Sequence, residues 1–384
     1  MTTSSLDQYQ IGWICSDPIV AAAAHQMLDE EYGPLDEQDE LDTNSYTLGR
    51  VGKHSVVIVC VGGQGRGTTP ATATAIHMMR TFPALRTALA ISIGGAIPSP
   101  EDDMCLGDVV VSYPTDECGG ILQFDLGPIR NDTTVWRTVY LNHPPKVLLA
   151  AVDRMRAATL RNDPLYPEYM VEAAKPTART EQNFKSPGKE HDRLFRVETE
   201  HSPGGCHYDG FSPECEIERD EREDAEPRIF YGVVASGNAL VEHGSTRERF
   251  GKETGALCFE TLSAGVIQDL PCLAICGISN YAESSKNGEW EGYAALAAAA
   301  YAKELLAYVP SRQIRRPNML AAISARVMRE EDSKQGPDTL SLRTQGEWLG
   351  ITNAPTFGSE DYVEAGAVAH SKERLLHTLF DWVE

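Results

Sequence analysis

Apolar and polar positions along the chain fall into two repeating patterns. Short, nearly unbroken apolar runs occur at 9–15, 55–61, 88–97, 108–112, 229–236, 256–260 and 272–278. Runs of this length without polar alternation predict strands covered on both faces. Tyr46–Gly52 predicts a further strand and turn. Between the runs, apolar residues recur at helical spacing. One helix is expected from Ile19 to Leu28, where Pro18 suits the first turn and Asp17 supplies an N-cap. Others run from Pro70 to about Thr81, and from the Asn142-His-Pro-Pro145 cap to about Leu160 with Val147, Leu148, Ala151, Val152 and Met155 on one face. Three more start near Thr246, at Ser263 and, Ala-rich, at Gly292, the last reaching Val309.

Strands alternating with helices predict an α/β protein: three layers around a largely parallel central sheet, with the site at the strands' C-terminal ends. The run Leu89–Pro98 organises the rest, because it ends in Gly94-Gly95, where bare backbone lets another chain segment or a ligand come close. Gly62-Gly-Gln-Gly-Arg-Gly-Thr-Thr69 joins a strand to a helix, so its amides form either a cradle for an anion or hydroxyl, or only a tight turn.

The pattern fails in three places. Residues 29–42 carry eight acidic side chains and read as a solvated loop. Residues 161–227, rich in charge, Pro and Gly, read as a partly mobile insertion. Residues 309–384 form a helical C-terminal extension with helices at Met319–Glu331 and Lys372–Val383, packed on the main domain at 9–308 or on a partner.

Charge narrows the choice of ligand. A net charge of -22 and a pI near 4.9 oppose general binding to nucleic acid or anionic membranes and favour a small molecule. The nine cysteines are scattered and several lie in apolar runs, as reduced core thiols do. No basic-then-apolar leader starts the chain and no apolar run reaches the roughly 18 residues of a membrane span, so a soluble, cytoplasmic protein is expected. His201, Cys206, His207 and Cys215 are zinc-ligand types without a tight knuckle, and neither acidic cluster (29–42, 214–226) has the spacing of a calcium loop. No metal and no cofactor are expected. Gly-x-Ser-x-Gly and a usable Gly-x-Gly-x-x-Gly are absent.

Eight segments together carry a family resemblance: Ile11–Cys15, Tyr46–Arg50, Gly65–Thr69, Ile93–Pro98, Leu106–Ser112, Ala235–Asn238, Cys258–Glu260 and Asn280–Asn287. In this order they resemble the nucleoside phosphorylase / nucleosidase superfamily, and are most similar to its fungal branch, often joined to NTPase and repeat modules. The tail shows neither P-loop nor repeat, so a stand-alone copy is expected. The resemblance implies that fold, self-association into a homo-oligomer, and N-glycosidic cleavage by three carboxylates. Those positions fall on Val20, Leu262 and Asn280, none of them acidic. Losing one general acid–base group typically costs about 10²–10⁴-fold.

The candidate catalytic residues are therefore Asn280, which hydrogen-bonds without transferring a proton, and Glu260 and Asp17, acidic neighbours of substituted positions; Glu283 is a further replacement. Candidate substrate-binding residues are Val20, Arg66, Thr68, Gly94, Gly95, Ser236, Asn238, Phe259, Thr261 and Leu262. The glycines also suit strand-end packing, and Ser236 and Asn238 an Asx-type turn. Arg66 replaces a tyrosine common in the fungal branch, and suits either an anion at the pocket mouth or a solvated loop. The leading expectation is a repurposed domain that has lost glycosidic cleavage and binds or transforms a less polar small molecule by cyclisation, isomerisation or addition in secondary metabolism. The alternatives are a catalytically silent nucleoside-binding or regulatory module, and a nucleosidase with displaced carboxylates.

Overall fold

Both faces of the central sheet are buried, which is why its strands show no polar alternation. The structure, a computed structural model, describes residues 6–35, 37–61, 65–125, 139–195, 216–219, 222, 224, 226–283 and 288–311. All lie in the first of two units, Met1–Arg316; the second, Pro317–Glu384, and both expected tail helices lie outside the described residues.

In chain order the elements are β1 (Ile11–Cys15), α1 (Pro18–Gln26), β2 (Glu30–Glu31), β3 (Tyr46–Val51), β4 (His54–Cys60), α2 (Thr68–Thr81), β5 (Thr87–Ala96), β6 (Val109–Ser112), β7 (Ile121–Gln123) and β8 (Val139–Tyr140). There follow α3 (Lys146–Thr159), α4 (Tyr166–Ala174), α5 (Ala178–Phe184), β9 (Ile229–Ser236), α6 (Gly244–Thr254), β10 (Ala256–Glu260), α7 (Ser263–Val266), β11 (Cys272–Asn280) and α8 (Glu291–Tyr308). Successive residues of β1 serve opposite layers. Ile11, Trp13 and Cys15 join the core of α1, α3, α4 and α8, whereas Ile14 joins that of α2 and α7.

The sheet is mixed, not largely parallel as expected. It runs β2-β3-β4-β1-β5-β11-β6-β9-β7-β8, with β10 paired to both β5 and β9. β1 is parallel to β4 and β5, and β11 to β5, but β3 is antiparallel to β4, β6 to β11, and β10 to β5. Because β10 joins β5 to β9, the strands β5-β11-β6-β9-β10 close into a ring. The antiparallel entry of β10 needs no crossover helix, so strand–helix alternation does not reveal it.

Two segments expected to be irregular hold regular structure. Glu30–Glu31 adds an edge strand to β3 within the acidic loop. The 161–227 stretch contains α4 and α5, with Tyr166, Met170 and Phe184 buried against the main core. Its far end is tied down by buried charge. Arg222 donates to both carboxylate oxygens of Asp108 at 2.7 Å, and Arg219 binds Asp192 at 2.8 Å. No helix among the described residues is long and apolar enough to cross a membrane.

Close layer contact makes one glycine indispensable. A Cβ on Gly277, in β11, would lie 2.1 Å from the carbonyl oxygen of Ala294 on α8. Gly277→Ala should force the Ala-rich helix off the sheet and cost about 1–3 kcal/mol or more. Urea unfolding followed by circular dichroism measures this; an unchanged midpoint would show that the layers give way.

Candidate functional site

The ends of β5, β10 and β11 converge because β5 carries no side chain where β10 and β11 approach. A Cβ on Gly94 would lie 2.1 Å from the Phe259 carbonyl oxygen, and one on Gly95 would lie 2.7 Å from Asn280 Oδ1. Strand-end packing thus accounts for both glycines, and both also line the resulting cleft. The cleft encloses about 700 Å³, including the part open to solvent.

Asp17 follows β1 and occupies the N-cap position of α1, yet its side chain makes no capping bond. This differs from the expected cap. Its carboxylate instead accepts from Ser16 Oγ at 2.8 Å, is only 8% exposed and lines the cleft. Its charge is felt nearby: burial first, and Asp17 second, push the Cys60 thiol up to about 11.

Glu260, at the end of β10, also lines the cleft, but its oxygens are already engaged. They accept from Leu262 N at 2.7 Å, from Ser263 N at 3.0 and 3.3 Å, and from Ser263 Oγ at 2.6 Å. It therefore fixes the turn into α7. Phe259 beside it lines the cleft and packs on Phe250 and Phe124, with ring centroids 5.0 and 5.3 Å away.

The β11 end is similarly constrained. Asn280 Oδ1 accepts from Ala282 N at 2.9 Å, and its amide donates to Ser279 Oγ at 3.2 Å. This Asx-type turn holds Ala282 at φ 50°, the one positive φ on a non-glycine residue among those described. Tyr281 between them is buried. Its hydroxyl donates to Asp192 and accepts from Arg219 at 2.8 Å, while its carbonyl accepts from Arg247 at 2.7 Å. Arg247 also pairs with Glu283 at 3.1 Å, so Glu283 carries a structural charge partner.

Of the expected site residues, the cleft brings together Asp17, Arg66, Gly94, Gly95, Phe259, Glu260, Thr261 and Asn280. The other five lie outside its lining. Val20 is fully buried among core residues on the α1 side of the sheet, and Leu262 is 1% exposed in the opposite core. Ser236 Oγ accepts from Ala264 N at 2.9 Å and so anchors α7. Thr68 donates through its backbone and hydroxyl to Asn238 Oδ1, at 2.9 and 3.1 Å. Asn238 in turn donates through its backbone and side chain to Asp125, at 2.5 and 2.8 Å. Val20 and Leu262 therefore do not give the cleft an apolar lining. Ser16, Ser279 and Glu291 add polar groups to it, and Ile93, Leu240 and Val241 apolar ones, none singled out from the sequence. Ile93 opens the Ile93–Pro98 segment, Ser16 and Ser279 adjoin Asp17 and Asn280, and Leu240–Val241 closely follow the Ser-Gly-Asn segment, whereas Glu291 had no neighbouring signal. Among the described residues no His, Cys, Asp or Glu group is placed to hold a metal ion; His201, Cys206, His207 and Cys215 lie outside them.

No family model matches the chain. It is 38% identical over 320 residues to a nucleotide-binding leucine-rich repeat (NLR)-like protein from Hyaloscypha variabilis, covering 83% of this chain and 31% of that protein. The chain thus spans about a third of the length of that relative. Similar solved structures include the futalosine hydrolase of Helicobacter pylori, with 14% identity, TM-score 0.48, and coverage of 78% of this chain and 98% of that one. The 5′-methylthioadenosine/S-adenosylhomocysteine nucleosidases of Helicobacter pylori and Neisseria meningitidis follow at TM-scores of 0.47 and 0.46, each 13% identical. Each covers 78% of this chain, and this chain covers 98% and 97% of theirs.

The Asp125–Asn238 contact has a defined pH dependence. Burial raises the Asp125 carboxyl, but the bonds from Asn238 outweigh it and hold the group below the usual 3.8. A carboxyl depressed by folding adds stability that is present above its unfolded value and lost as pH falls through its folded one. Asp125→Asn should therefore lower the Tm at neutral pH, and the gap to the parent should shrink below about pH 3.8. Thermal unfolding at descending pH measures it; a constant gap would rule out the carboxylate as its source.

Proposed function

We propose that this chain is a small-molecule-recognition domain whose cleft takes a polar, hydrogen-bonding ligand of nucleoside size, and that it does not cleave N-glycosidic bonds by the carboxylate mechanism the resemblance implies. The state of the three substituted positions carries this reading. Val20 and Leu262 are buried in the core, and the Asn280 amide serves its own turn, so none supplies the acid or base that cleavage needs. The nucleosidase-like neighbours support the ligand class, and the longer NLR-like relative supports a module within a larger assembly. The polar lining favours a ligand with hydroxyl or amine donors over a less polar one.

Asp17 is the centre of this reading. Its buried carboxylate has Ser16 Oγ as its one side-chain partner among the described residues and retains acceptor capacity toward the cleft. The same capacity supports a second reading, in which Asp17 accepts a proton during an isomerisation or addition.

A panel of purine and pyrimidine nucleosides tests the proposal by two measurements. Chromatography should detect no free base, with or without phosphate. Thermal unfolding should show a Tm raised by several degrees at about 100 times Kd for at least one member. Asp17→Asn should weaken that binding by roughly tenfold or more. Base release at an enzyme-like rate would overturn the non-cleaving part, and the absence of any Tm shift the binding part.

A further inference from the structure

We infer that Arg66 is an anion-reading residue of the cleft, so that the preferred ligand is an organic anion: a phosphate or carboxylate held by Arg66, with hydroxyl or amine donors directed to Asp17. This rests on the cleft being a small-molecule site, and adds the ligand's charge.

The first observation is an unpaired cation in an acidic protein. The chain has 56 acidic residues against 34 Lys and Arg, and five of its other described arginines have a carboxylate within 3.2 Å: Arg50 with Glu30, Arg193 with Glu216, Arg219 with Asp192, Arg222 with Asp108, Arg247 with Glu283. Arg66 is exposed, lines the cleft, and has no hydrogen-bond or ion-pair partner among the described residues. A guanidinium presents a planar fork of donors matched to carboxylate and phosphate oxygens.

The second observation is that the backbone beside Arg66 is fixed. Gly67 adopts φ 129°, and a Cβ there would lie 2.4 Å from Asn238 Oδ1. Only glycine suits both the angle and the approach. Thr68 then donates twice to the same Asn238 oxygen, and Asn238 donates twice to Asp125. A solvated loop arginine needs no such anchorage. Here the chain from Asp125 through Asn238 to Thr68 sets where the Arg66 stem leaves the backbone, which reduces the ordering cost of binding. Asn238 and Asp125 are thus positioning residues.

The remaining lining sets the ligand's polarity. Asp17, Glu260 and Glu291 are acidic and Arg66 is the basic residue among the described lining. A ligand with negative charge throughout would meet these carboxylates, and a neutral one would leave the guanidinium unmatched. An anion that also carries donors satisfies both.

The test uses the full chain at low ionic strength and a matched pair of probes, adenosine and adenosine 5′-monophosphate, titrated by calorimetry. The monophosphate should bind roughly tenfold tighter than the nucleoside, with the ratio shrinking as salt is added. Arg66→Ala should collapse the ratio toward one, and Arg66→Lys should restore part of it. Asn238→Ala should narrow the ratio, whereas a purely structural role would weaken both probes together. Thermal unfolding of each variant confirms that it folds. A ratio near one in the parent, or a ratio that survives Arg66→Ala, would overturn the inference while leaving nucleoside binding intact. Binding of neither probe would overturn it, and the nucleoside panel then decides the fate of the reading on which it rests.

Discussion

The Phe259 carbonyl rests against backbone that has no side chain, at Gly94, and the shape of the cleft depends on that contact. Strand β10 pairs with β5 in one direction and β9 in the other, through Phe259 with Gly95 and Phe259 with Ala235. A Cβ at 94 would push β10 away and open the ring. With the ring closed, neither strand is left with an open edge, and Asn280, Glu260 and Asp17 are brought to one concavity. Gly95 repeats the device on the other side, beneath the Asn280 amide. The glycine pair therefore acts first through packing, and the cleft follows from it.

The strands and most helices were legible in the sequence because burial on both faces leaves an unmistakable apolar run: β1, β5, β9 and β11 fall where the runs do. The direction of β10 was not legible, since a five-residue run carries no signal for parallel or antiparallel pairing. Helices α4 and α5 were hidden in a charged stretch because each buries only a narrow face: Tyr166, Met170 and Ala173 in one, Phe184 in the other. For the site, motif position along the chain located the cleft's floor at Gly94, Gly95, Glu260 and Asn280. It did not tell which way a side chain points. Val20 and Leu262 sit at motif positions yet face the core, and Ser236 and Asn238 hold neighbouring segments together.

What each acidic side chain is able to do follows from how many partners it already has. Glu260 accepts from two backbone amides and one hydroxyl, so a ligand donor would have to displace an existing bond. Glu283 faces Arg247, and separating a buried pair leaves an uncompensated charge at a cost of about 3–5 kcal/mol. Among the described residues Asp17 has one side-chain partner, Ser16. Its side chain lines the cleft, where a ligand donor can reach the remaining acceptor sites.

The amide at Asn280 has a counterpart in this charge pattern. A carboxylate there would add negative charge to a lining that already holds Asp17 and Glu260, all three in a space partly shielded from water. Like charges in such surroundings oppose one another. Asparagine keeps the acceptor that fixes Ala282 and removes the charge. The acidic residue at 17 and the neutral one at 280 are therefore compatible with each other in a way that two acids would not be. The open acceptor of this lining lies at the end of β1. A ligand with its hydrogen-bond donor at the β1 end matches that arrangement.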